Sequence, residues 1–180
     1  VISEFNLDNE IELEKYNSQN LSFQKASNLT GSYMGTYGLS SMLFALILTI
    51  YTSKRKINRK MIHLWSLILG GIGFISMYYI SSHSLLIISF SLIGISWGSI
   101  LSMPYAMLSS SVKEESMGTS MGIFNMFIVI PQIIAAIGGI NILSSILGDK
   151  AIFSMIIAGL ALIIAGLFNL TITEKKTIIN

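Results

Sequence analysis

The sequence predicts an all-α membrane protein built from five transmembrane helices, and three observations carry that prediction. Apolar residues make up 52% of the chain, charged residues only 11%, and mean hydropathy is +0.70, values outside the range of soluble globular domains. The charges are segregated: every Asp, Glu, Lys and Arg lies in the amino-terminal segment, in a connection or in the tail. The apolar runs between them are each long enough to cross a hydrocarbon core of ~30 Å, which takes ~20 helical residues.

The runs fall at roughly 32–51, 61–80, 85–108, 121–143 and 151–170, so residues 1–31 read as an external polar loop and 171–180 as a cytoplasmic tail. Helices are expected rather than barrel strands because each run is continuously apolar, without the alternation of a lipid-facing strand. Orientation follows from SKRKINRK at 53–60, which packs Lys54, Arg55, Lys56, Arg59 and Lys60 into one short connection and marks it as cytoplasmic. Counting outward, SSHS (81–84) and the Gly148, Asp149, Lys150 turn lie outside, and SSSVKEESMGTS (109–120) lies inside with the carboxy terminus. The acidic excess of the amino-terminal segment (Glu4, Asp8, Glu10, Glu12 and Glu14 against Lys15 and Lys25) is compatible with an outer location. Its two triplets, Asn20-Leu-Ser and Asn28-Leu-Thr, match glycosylation acceptors but are common by chance in such sequence. An odd span count beginning outside, a first residue that is Val and no basic-then-apolar signal segment point to the carboxy-terminal part of a longer protein.

No cysteine is present, and the histidines are His63 near one end of the second span and His83 in the small outer loop. Neither has a second ligand nearby, and no carboxylate lies within a span, so no catalytic residue, metal site or cofactor is expected. A membrane-embedded hydrolase lacks its nucleophile and base here. Nothing points to nucleic acid.

The spans differ in polarity. The second adds only Trp65, Ser66 and Ser76 to an apolar background, and the fifth only Ser154 and Asn169, so both are expected to face lipid. The first carries Ser32, Thr36, Tyr37, Ser40 and Ser41, the third Ser91, Ser96, Ser99 and Ser102, and the fourth Asn125, Pro131 and Gln132. Lipid offers these groups no partners, so these three spans are expected to face the protein interior or a cavity. In the third, Ser91, Gly94, Gly98, Ser102 and Tyr105 share one helical face, and Gly94 with Gly98 forms a GxxxG whose plainest use is close packing. Ser96 and Trp97 lie near mid-membrane and are candidates for a substrate path with Tyr37. Asn125 and Gln132 are two turns apart on one face of the fourth span, and Pro131 leaves the Phe127 carbonyl without its intrahelical donor. A kinked helix with two amides on one face suits either a cavity wall or a proline kink satisfied between helices.

The stretch GISWGSILSMPYAMLSSSVKEESMGTSMGIFNMFIVIPQIIAA, Gly94 to Ala136, resembles the carboxy-terminal half of the sucrose and maltose type proton symporters in the glycoside-pentoside-hexuronide group of the major facilitator superfamily. The match runs through Ser102, Pro104, Tyr105, Ala106, Gly122, Asn125, Ile128, Val129, Pro131 and Gln132, and extends more weakly over FQKASNLTGSYMGTYGLSSMLFAL. The resemblance implies that the spans are the eighth to twelfth of a twelve-span fold, with the ninth and twelfth at the periphery. It implies a sugar or glycoside as substrate, protons as the coupling ion, an amino-terminal half as partner, and a multi-pass location in a cell membrane; the high Ile, Asn, Ser and Lys content suggests an AT-rich bacterial genome, and so a bacterial inner membrane. Asn58, Arg59 and Lys60 align with the Gly-Arg-Lys end of the superfamily's cytoplasmic motif, with Asn standing where a left-handed turn residue is expected; the motif's Asp has no counterpart. Gly94, Gly98, Pro104, Gly122 and Pro131 are candidates for kink or gating positions, and Tyr37, Ser96, Trp97, Asn125 and Gln132 for the substrate path. A non-transporting membrane scaffold or permease subunit remains the alternative, with the small-residue faces then serving packing alone.

Overall fold

The computed structural model describes residues 10, 12–16, 20–55, 57–139 and 151–172. Five helices in it are long and apolar enough to cross a membrane. They are α1 (Leu21–Lys54), α2 (Arg59–Tyr79), α3 (His83–Ser109), α4 (Met117–Ile134) and α5 (Ala151–Phe168).

Helix α1 begins at Leu21 and not near residue 32, so residues 21–31, expected in the polar loop, are its first turns. Asn20 caps it, its side chain accepting from the Ser22 N–H at 2.9 Å. Hydropathy marks where a helix enters lipid, whereas Leu21, Gln24, Lys25 and Ala26 are good helix formers that continue it into water. At 34 residues α1 is ~50 Å long, well beyond the ~30 Å hydrocarbon core. Asn58 is likewise a cap: its side chain accepts from Met61 N–H at 3.1 Å while its backbone is extended, with φ −85°, so the left-handed conformation expected at this position is absent. After α3, a short 3-10 turn (Glu114–Ser116) leads into α4, which therefore starts before the expected 121. Beyond α4 a π turn, Ala135–Gly139, contains Gly138 at φ 134°, a conformation open to glycine. The Gly148 to Lys150 turn and the tail from 173 lie outside the described residues.

The helices form a row. Among the described residues α3 packs against α1 on one side and α2 on the other, α2 continues to α5, and α1 does not touch α2 although the two are consecutive. Glycine sets these distances. A Cβ on Gly71 would stand 2.7 Å from the Gly159 carbonyl oxygen, and one on Gly159 would stand 2.7 Å from that of Gly71, so α2 and α5 approach backbone to backbone. Towards α3, Gly70 faces Ser96, and a Cβ on Gly73 would lie 2.8 Å from Ser89 O. Hydroxyls tie the same seam: Ser76 to Ser89 at 2.7 Å, and buried His63 Nδ1 to Ser99 Oγ at 2.8 Å.

This arrangement corrects the reading of the second span as simply lipid-facing. Helix α2 buries His63, Leu64, Ser66, Leu67, Gly70, Gly71 and Gly73 between two neighbours, and keeps exposed only a stripe that includes Met61, Trp65, Ile72 and Tyr79. Conversely α4, expected to face the interior, buries none of its residues in this chain and touches α3 alone among the long helices. Counting hydroxyls misjudged α2, because glycine is neutral in hydropathy and yet decides which helices approach.

Candidate functional site

The polar stripe of α3 divides its work between two neighbours. Gly94 abuts the Tyr37 carbonyl and Ser40 of α1, and a Cβ on Gly98 would meet Ser41 O at 3.0 Å, so both glycines serve the α1–α3 contact. Ser102 returns its hydroxyl to Gly98 O at 2.7 Å, and Ser91 to Ile87 O at 2.8 Å. Farther along, the Tyr105 hydroxyl donates to Asn125 Oδ1, and the Tyr105 ring meets Phe124 edge-on with centroids 4.9 Å apart. These contacts join α3 to α4.

Of the proposed path residues, Tyr37 and Trp97 come together. Their rings lie 6.4 Å apart at 49°, Tyr37 half-buried and Trp97 43% exposed. Ser96 does not join them. One residue along a helix is a rotation of about 100°, which carries Ser96 into the α2 seam against Gly70, where it is 1% exposed and its hydroxyl has no hydrogen-bond partner among the described residues. Trp97, Leu101 and Tyr105 follow at four-residue intervals along one side of α3, placing the Tyr37–Trp97 pair and the Tyr105–Asn125 pair ~12 Å apart along the axis. Gln132 is exposed on α4 and makes no hydrogen bond among the described residues. Pro104 and Pro131 sit inside α3 and α4, and Gly122 has open space where a side chain would stand, so it is not a packing glycine here.

The basic connection is structural as well as charged. Arg59 donates to Ala106 O at 2.9 Å, and Lys60 to Leu170 O and Ile172 O at 2.6 and 2.7 Å, so two cations at the start of α2 cap the carbonyl ends of α3 and of the 3-10 turn (Asn169–Thr171) that follows α5. The negative end of a helix dipole favours such neighbours. Asn169, buried, answers by donating to Lys60 O at 2.7 Å. Arg55 lies over the Tyr51 ring at 5.7 Å; the side chain of Lys54 and all of Lys56 lie outside the described residues. Sequence reading missed the Asn169–Lys60 joint, whose only trace is an amide ending a run of apolar residues. It also missed Tyr105 as the partner of Asn125.

Among the described residues no group of three His, Cys, Asp or Glu side chains is placed to hold a metal ion. The described residues offer an aromatic pair, half-buried at Tyr37 and 43% exposed at Trp97, and on α4 an exposed amide, Gln132, without a partner among them. No curated protein and no solved structure matches the chain. The family model of the Major Facilitator Superfamily matches residues 14–178, which takes in all five apolar helices, and the chain belongs to that superfamily of membrane transporters.

Proposed function

We propose that this chain is the carboxy-terminal part of a secondary active transporter that moves a sugar or glycoside of the sucrose or maltose kind, with protons, by alternating access across a cell membrane. The observation that carries the substrate class is the Tyr37–Trp97 pair, half-buried at Tyr37 and 43% exposed at Trp97, on apolar runs (32–51 and 85–108) that contain no charge. A sugar ring presents an apolar C–H face to an aromatic surface and hydroxyls at its rim to amides, and Gln132 supplies such an amide with no partner among the described residues. The resemblance of Gly94 to Ala136 supports the same class. Coupling groups for protons belong, on this reading, to the amino-terminal half, because the apolar runs here carry no Asp, Glu, Lys or Arg to replace them, and the base in them, His63, is buried against Ser99. Pro131 within α4, and Gly138 at φ 134° in the π turn beyond it, give this span two points at which a conformational cycle can bend it.

The test is uptake. In vesicles, the complete protein accumulates a labelled disaccharide when an inward acid gradient is imposed and stops when a protonophore collapses it. Residues 1–180 alone insert and accumulate none. Proton-driven uptake by residues 1–180 alone rejects the divided arrangement, and failure of the complete protein to take up any disaccharide leaves the scaffold reading in its place. Topology is checked separately: cysteines introduced at Asn58 and Ser82, at the two ends of α2, react with an impermeant thiol reagent from opposite sides, Asn58 from the cytoplasm. Labelling of both from one side contradicts a membrane-crossing α2.

A further inference from the structure

The contact between α1 and α3 combines a repeating surface with a directional tie near the start of α3. The residue numbers that meet rise together, Tyr37 and Ser40 at Gly94, then Ser41 and Phe44 at Gly98, so the two helices run parallel. Gly94 and Gly98 lie one turn apart and offer like notches, which Ser40 and Ser41 enter from α1. Such a surface accepts a shift of one turn, ~5.4 Å, nearly as well as none. Hydroxyls along α1 do not choose between these registers. Those of Ser32, Thr36 and Ser40 donate back to carbonyls of α1 itself, at Asn28, Ser32 and Tyr37.

Tyr33 makes the choice. Among the described residues of α1 it alone is buried, at 8% exposed. Its hydroxyl donates to the carbonyl of His83, the first residue of α3, at 2.9 Å, and its ring stacks on Phe90 with centroids 5.1 Å apart at 20°. Neither contact repeats one turn along: in place of Phe90 the shifted ring would face Leu86 or Gly94. Tyr37 follows Tyr33 by one turn, and the same shift would set it opposite Ile93 or Leu101 instead of Trp97, from which it now lies 6.4 Å. We propose that Tyr33 is a positioning residue, which touches no substrate and fixes the axial register of α1 on α3 that holds Tyr37 against Trp97. Its consequence for sugar binding rests on placing the substrate path at that pair; the register does not.

Spin-label distances read the register directly. The chain has no cysteine, so labels attach at Ile47→Cys on α1 and Ile88→Cys on α3, both exposed. Counted from Ser41 opposite Gly98, these positions are ~24 Å apart along the axis. For residues 1–180 in vesicles, the parent should give one distance, and Tyr33→Leu a second population displaced by about one turn, ~5 Å. Tyr33→Phe, which keeps the ring and loses the bond, should give the same population at a smaller share. An unchanged distribution in Tyr33→Leu overturns the proposal, as do two populations in the parent; where circular dichroism shows Tyr33→Leu unfolded, Tyr33→Phe decides in the same way. In the complete protein, Tyr33→Leu should raise the half-saturating disaccharide concentration several-fold with the maximal rate close to the parent's, whereas a loss of folded protein alone lowers the rate and leaves half-saturation unmoved. Unmoved half-saturation in a variant whose label distance has shifted rejects the sugar path at Tyr37 and Trp97 and leaves the register role standing.

Discussion

Gly94→Leu detaches α1 from the bundle. A Cβ at residue 94 runs into Ser40 and the Tyr37 carbonyl, and one turn later Gly98 leaves only 3.0 Å between its own Cβ position and Ser41 O. Backbone cannot rotate aside as a side-chain tip can, so the helices must separate. Overpacking a well-formed interior costs about 1–3 kcal/mol where side chains can adjust; here the obstacle is main chain, and the upper end of that range or beyond is expected. The position matters further because α1 packs on α3 and on no other long helix among the described residues, leaving no second interface to hold it. The purified variant should show a melting temperature lowered by many degrees and rapid backbone hydrogen exchange through α1. Gly35→Leu is the control: on the same helix pair, nothing lies within 4 Å of its Cβ position, and its melting should stay close to that of the parent. Equal melting of both variants shows that α1 and α3 do not approach at Gly94.

The lesson of that contact is what hydropathy can and cannot convey. Span number and helical class were legible because burial in lipid demands long uncharged runs, and the family match agrees with that reading. The start of α1 was not, since residues 21–31 are helical for reasons of capping and propensity that leave no mark on hydropathy. The order of the row was also hidden. It depends on Gly70, Gly71, Gly73 and Gly159, which have no side chain to be scored, and on which partner each meets across long separations in sequence. Helical periodicity located a face on α3 correctly but could not say that the face meets α1, nor that adjacent Ser96 turns to α2 while Trp97 stays exposed. The joint of Lys60 with Asn169 and Leu170 spans more than a hundred positions, and nothing local to either end announces it.

The amides of α4 differ in role, and a pair of substitutions separates them. Asn125 is engaged, its Oδ1 accepting from Tyr105, so it ties α4 to α3 where those helices otherwise touch little. Gln132 shares its face two turns on and has no partner among the described residues. An unpartnered amide at membrane depth needs a hydroxylated ligand, water or another polar surface. If the chain belongs to a sugar transporter as proposed, Gln132→Leu in the complete protein should leave melting nearly unchanged and weaken sugar affinity, since losing a hydrogen bond in a site built for hydroxyls costs ~1–3 kcal/mol. At ~1.4 kcal/mol per factor of ten, uptake at limiting sugar falls roughly ten- to a hundredfold. Asn125→Leu should do the reverse, lowering stability by about 0.6 kcal/mol, the average for an interhelical hydrogen bond in a bilayer, with affinity little changed. Both quantities are measured on each variant, melting in detergent and affinity by sugar titration. If Gln132→Leu melts early and binds sugar normally, Gln132 is a second tie between helices, and the substrate path must be sought around Tyr37 and Trp97 alone.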